Sequence, residues 1–161
     1  MLISLFIRDV VLIEQLDLSF KKGFSILTGE TGAGKSILLD SLGLALGMRG
    51  DLSLIRQGCD QAVVTAVFDL QPLSFDHPVR SFLKENLLEN DEETLILRRI
   101  LHRADRSKSF INDQPVTVRA LKDIGSGLLE IHNQFDRLLE AGLHQNLLDR
   151  FCVSCDPRVN N

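Results

Sequence analysis

Two spacings of apolar residues divide the chain. Leu16, Leu18 and Phe20 alternate with Asp17 and Ser19, the period of a strand with one wet face. An apolar run at residues 2–7 precedes it, so the two are expected to pair around residues 8–15. Phe24-Ser25-Ile26-Leu27-Thr28 is a short β-prone run entered from Gly23. Ile37, Leu38, Ser41, Leu42, Ala45 and Leu46 then fall at helical spacing, which predicts a helix over 35–46 ended by Gly47. Residues 47–60 form a polar, glycine-containing connection. Residues 62–70 alternate again, with Val64, Ala66, Phe68 and Leu70 on one face.

The second half mixes both periods. Asp76 is expected to cap a helix with Pro78 in its first turn, and Val79, Phe82, Leu83 and Leu87 to form its apolar stripe. Glu89, Asp91, Glu92 and Glu93 make an acidic loop. A strand over 94–101 follows, then a hairpin over 109–117 turning at Asn112-Asp113, and a short helix near 118–124. The pattern closes with an apolar strand over 128–132 and an amphipathic helix over 143–151 carrying Leu143, Leu147, Leu148 and Phe151.

One segment carries explicit chemistry. Gly29-Glu30-Thr31-Gly32-Ala33-Gly34-Lys35-Ser36 fits the phosphate-binding loop pattern G-x-x-x-x-G-K-[ST] without a mismatch. The glycines let successive backbone N–H groups turn toward phosphate oxygens. Lys35 has the reach for β- and γ-phosphates, and the Ser36 hydroxyl can ligate Mg²⁺. Composition alone produces such a match in about one chain of this length in a hundred. Its position between a buried strand and a helix is the context the motif requires.

The order is strands, then a phosphate loop, then strands mixed with helices. It differs from the regular βαβ alternation of a small-molecule kinase. It predicts an α/β P-loop NTPase lobe with a mixed parallel core and an added antiparallel sheet. Residues 62–68 followed by Asp69 also fit an apolar strand ending in a Walker B aspartate. Thr65 interrupts the apolar run and the strand alternates, which count against that reading.

Composition narrows the partners. The chain has 161 residues, 44% hydrophobic and 25% charged, with a net charge of -4, so no overall field draws nucleic acid. There is no Trp or Tyr, and nine Phe are the only aromatics, which argues against a base-stacking surface, although Phe can stack. Arg98, Arg99, His102, Arg103, Arg106 and Lys108 crowd one segment opposed by Asp105 alone. That suits either a phosphate-contacting patch or a solvated hairpin. Arg8, Asp9 and Glu14 interrupt the apolar N-terminus, so it lacks the form of a signal peptide, and no uncharged run approaches a membrane span. A cytoplasmic location is expected. Cys59, Cys152 and Cys155 are expected to be free thiols, because the C-x-x-C has only His144 nearby as a further metal ligand.

Several motifs in order resemble a family. They are Phe6-Ile7-Arg8-Asp9, Leu16-Asp17-Leu18-Ser19-Phe20, the phosphate loop with Ile37-Leu38, and Ile55-Arg56-Gln57-Gly58. Val67-Phe68, Arg98-Arg99, Ser107 with Ile111-Asn112, and Glu130-Ile131-His132-Asn133-Gln134 follow at matching spacing. Together residues 1–151 resemble the N-terminal half of ATPase heads in the SMC-like branch of the ABC superfamily, within it those of bacterial recombination and DNA repair proteins. Residues 152–161 match nothing in that family and are expected to be a disordered tail.

The resemblance implies ATP and Mg²⁺ as cofactors. It implies Lys35 and Gln134 in catalysis, Ser36 and Gln134 at the metal, and Arg56 in a basic loop reaching toward nucleotide or partner. Arg8 is placed near the nucleotide by the same resemblance. Asn133 and Phe135 stand where the family often has Gly and His. The family's signature motif and Walker B pair do not occur in this chain. The resemblance therefore implies a missing C-terminal half-head, supplied in cis or in trans, before ATP hydrolysis can proceed. It also implies a head-to-head dimer, DNA as a partner of the complete protein and nucleoid association, with no membrane contact. The alternatives are a self-contained P-loop kinase or NTPase, and a non-functional truncated remnant.

Overall fold

The computed structural model describes residues 1–23, 32–89 and 93–128, all within one compact unit, Met1–Glu130. Its frame is a six-stranded sheet of order β2-β1-β3-β4-β5-β6, with every described pairing antiparallel. The strands are β1 (Leu2–Val10), β2 (Ile13–Ser19), β3 (Gln61–Asp69), β4 (Thr94–His102), β5 (Lys108–Ile111) and β6 (Gln114–Val116). The helices are α1 (Gly32–Ala45), α2 (Pro78–Glu85) and α3 (Val118–Leu128). β1 and β2 form the expected hairpin, and Asn112 and Asp113 turn β5 into β6 with φ of 47° and 63°. Asn and Asp tolerate that left-handed geometry better than most residues.

The alternation in β3 and β4 places one set of side chains inward. Ala62, Val64, Ala66 and Phe68 of β3, and Leu95, Leu97 and Leu101 of β4, are buried beside Leu5 and Ile7 of β1. Each large apolar side chain so placed contributes about 1.5–3 kcal/mol. Helix α1 crosses β1, β3 and β4, and its end, Leu44 and Ala45, is buried together with the following Leu46. Gly47 follows at φ 83° and lies so close to α3 that a Cβ there would stand 2.4 Å from the Lys122 nitrogen. Glycine supplies both the left-handed turn and the missing volume.

Three expectations are corrected. The α2 cap is His77, whose Nδ1 accepts the Val79 N–H at 3.3 Å, and not Asp76. The ring nitrogen sits one residue nearer Pro78 at N1, so it reaches the free donor. Helix α2 ends at Glu85, and Leu87 at φ 55° turns out to 83% exposure while Leu88 enters the core. Leu128 is the last residue of α3 and does not open a strand. The expected strand at 24–28, the rest of the 128–132 strand, the 143–151 helix, the tail, Cys152 and Cys155 lie outside the described residues.

Candidate phosphate-binding site

Burial along α1 is graded. Gly34, Lys35 and Ser36 in the first turn are exposed, Ile37 and Leu38 are half-buried, and the run from Gly43 to Gly47 is buried. Ser41, inside the stripe, satisfies its hydroxyl by donating to the Ile37 carbonyl at 2.7 Å. The helix is held by its C-terminal half, and its N-terminal turn is presented to solvent. No acidic residue occupies that first turn. The positive end of the helix dipole and the Lys35 charge therefore coincide. A Cβ added at Gly34 would meet nothing within 4 Å, so the backbone there is open to close approach. These features fit a phosphate group. Gly29, Glu30, Thr31 and Gln134 lie outside the described residues, as do the side-chain surroundings of Gly32 and Ala33.

Arg56 sits in a different setting. Its loop is clipped to the β1–β2 turn by Val11 N–H to Leu54 carbonyl and Arg56 N–H to Asp9 carbonyl, both 2.9 Å. Its guanidinium lies 3.2 Å from the Glu14 carboxylate and 3.9 Å from that of Asp9. Arg8 pairs with the same Asp9 at 3.5 Å. The structure therefore brings Arg8 and Arg56 together through one carboxylate. Cys59 donates to Asp9 at 3.4 Å, and its thiol is pushed above the usual range by desolvation first, then by the Asp9 hydrogen bond and charge.

The basic segment after residue 97 is not one patch. Arg98 faces outward and pairs with Asp113 at 2.5 Å. Arg99 faces inward, 4% exposed, and donates to the hydroxyls of Ser109 and, at 2.9 Å, Ser107. Burial lowers the Arg99 pKa. Arg103 donates to the carbonyls of Cys59, Ile55 and Arg56 at 2.8, 3.0 and 3.3 Å, and so holds the Arg56 loop. Lys108 pairs with Asp105 at 3.8 Å. Sequence reasoning missed the Arg103 clamp and the Asp9 hub, because both act on backbone or charges some 45 residues away in the chain. Asp69 ends a strand that is antiparallel to both neighbours, and its carboxylate accepts the Gln71 N–H at 2.9 Å. It caps a turn at the end of an antiparallel strand.

A phosphate-loop helix beside an antiparallel sheet defines a P-loop NTPase lobe, and a model of the AAA domain family matches residues 4–141; the chain belongs to that family. Its relatives include DNA repair protein RecN of Halalkalibacterium halodurans, 40% identical over 153 residues, covering 94% of this chain and 26% of that protein. RecN of Haemophilus influenzae is 39% identical over 157 residues, covering 95% and 28%. The chain thus spans about a quarter of the length of these curated relatives. A structure solved in work on the ATP-driven dimerization and DNA-stimulated activation of SMC ATPases superposes with a TM-score of 0.64 at 20% identity, covering 92% of this chain and 97% of that one. At that identity the likeness concerns the fold. Among the described residues no helix is long and apolar enough to cross a membrane.

Proposed function

We propose that this chain is the ATP-binding N-terminal half-head of a RecN-like protein that acts in recombination and repair of DNA double-strand breaks. The supporting observation is the exposed Gly34-Lys35-Ser36 turn on a helix anchored at its opposite end, in a chain related to RecN along nearly its whole length.

In this reading Gly29 to Gly34 direct backbone N–H groups at the phosphates, and Lys35 neutralises the β- and γ-oxygens. The Ser36 hydroxyl and the Gln134 amide would hold Mg²⁺, which when bound would offset phosphate charge. Gln134 orients the attacking water. Arg56, pinned by Asp9, Glu14 and Arg103, faces nucleotide or partner at a fixed position. Such sites work through positioning and charge stabilisation. Two heads close face to face, and a C-terminal half-head, in cis or in trans, adds the signature motif and the Walker B carboxylate. The setting is cytoplasmic, on DNA.

Calorimetry with Mg-ATP tests this. Saturable binding by the chain, lost in Lys35→Ala with the fold intact by circular dichroism, is expected. Hydrolysis by the chain alone is expected to be slower than that of a complete head by about 10²–10⁵-fold, since one missing transition-state contact commonly costs that much. Turnover at ordinary enzyme rates that Lys35→Ala abolishes would refute the half-head reading and favour a self-contained NTPase.

A further inference from the structure

The outward face of the sheet carries residues that, Arg8 aside, the nucleotide site is not expected to use. Strand register aligns Asp17, Phe6, Thr65, Arg98, Phe110 and Pro115 in one continuous row across β2, β1, β3, β4, β5 and β6. The adjacent row runs Gln15, Arg8, Val63, Ile100 and Lys108. An antiparallel face left to water normally carries polar residues. Here Phe6, Val63, Val67, Ile96, Ile100 and Phe110 are all half-exposed. Helices α1 and α3 pack against the opposite, buried face.

The two aromatics stand three strands apart, about 14 Å at the usual strand spacing. Between them, the Arg98 guanidinium lies 4.9 Å from the centre of the Phe110 ring. Two residues along each strand, about 7 Å, a cation accompanies each ring. Arg8 follows Phe6 and Lys108 accompanies Phe110, with side chains 62% and 53% exposed. An aromatic–cation unit is thus repeated across the sheet, and the Arg98 guanidinium lies against the Phe110 ring, beside Asp113.

We propose that this face binds single-stranded nucleic acid, with bases stacked on Phe6, Arg98 and Phe110 and the phosphates passing Arg8 and Lys108. Aromatic side chains on an open sheet take unpaired bases, because every base offers a π-face. The carboxylates now facing these cations, Asp9 for Arg8, Asp113 for Arg98 and Asp105 for Lys108, form surface pairs of small net strength, and phosphates can replace them. Asp17 closes the row at the β2 edge, so the strand enters from the β5 side. No residue of α1 takes part, and the inference does not depend on ATP binding.

The test is fluorescence anisotropy on the full chain, without nucleotide and at low salt, using labelled dT12, rU12 and a 12-base-pair duplex. At least one single strand is expected to bind ten times more tightly than the duplex. Phe6→Leu and Phe110→Leu are each expected to weaken binding between about fivefold and a hundredfold. Lys108→Gln is expected to reduce the slope of log K against log salt by about 0.7. Arg8→Gln, at an exposed side chain, provides a second variant if a Phe substitution disturbs folding. Equal affinity for duplex, no binding at low salt, or unchanged binding in folded Phe and Arg8 variants would overturn the proposal.

Discussion

Asp9 holds Arg56 twice: its carbonyl accepts the Arg56 N–H at 2.9 Å, and its carboxylate lies 3.9 Å from the Arg56 guanidinium. Asp9 does this from φ 55°, a left-handed conformation that its short polar side chain tolerates. Asp9→Ala removes both the carboxylate and that tolerance. Urea denaturation is expected to show a loss of about 1–2 kcal/mol. Asp9→Gly should lose less, because glycine adopts the same φ without strain.

Two glycines at similar φ predict unequal costs. Gly47 at φ 83° has the Lys122 backbone nitrogen 2.4 Å from the site of a Cβ, whereas Gly58 at φ 85° has nothing within 4 Å. Gly58→Ala is expected to cost about 1 kcal/mol, the conformational term alone. Gly47→Ala must also separate α1 from α3, and should cost at least about 3 kcal/mol or prevent folding. Thermal melts of the two variants make the comparison.

Arg99 is buried with hydroxyls as its hydrogen-bond acceptors. Ser109→Ala leaves that charge short of a partner, and a loss of about 1–3 kcal/mol is expected. Replacing both residues, Arg99→Met with Ser109→Ala, removes the desolvated charge and its acceptor together. The double variant is expected to melt at or above the temperature of Ser109→Ala, a non-additive result that a double-mutant cycle detects.

Cys59 offers a pH-dependent readout. Its thiol is raised above 9.0 by desolvation and by Asp9, so the folded state holds the proton more firmly than the unfolded chain. The associated stability is present below the unfolded pKa and is lost as pH rises through the folded one, on the alkaline side of pH 9. Iodoacetamide at pH 8 should label Cys59 more slowly than a free cysteine, because the thiolate is the nucleophile. Asp9→Asn should speed labelling, as followed by peptide mass spectrometry.

Much of the fold was legible because strands and helix declare their period locally. The β1–β2 hairpin, the alternation of β3, the Asn112-Asp113 turn and the Gly47 stop all appear in the structure where the pattern places them. Misses came where short-range geometry decided the matter. A histidine nitrogen outcompeted the neighbouring Asp76 as a cap, and one left-handed residue after α2 exchanged Leu87 for Leu88. The phosphate loop was legible as a motif, since its chemistry is written in consecutive residues. The splitting of Arg98, Arg99 and Arg103 into an outward pair, an inward core member and a backbone clamp was not, because adjacent strand positions oppose each other and Arg103 finds its partners far away in the chain. Likewise, the low aromatic content pointed away from stacking, and only strand register aligns Phe6 with Phe110.

The position of β1 between β2 and β3 has a mechanical consequence. Residues 20–60, which carry the phosphate loop and α1, leave the sheet at one neighbour of β1 and return at its other neighbour. Because β2 and β3 both run antiparallel to β1, the two stems lie at opposite ends of the strands, about 20 Å apart along them and about 10 Å apart across the sheet. A single backbone cut between the stems therefore leaves two fragments that still share β1 as a common template. Nicked chain should stay associated and migrate as one species in native gels, splitting only when the sheet itself is denatured.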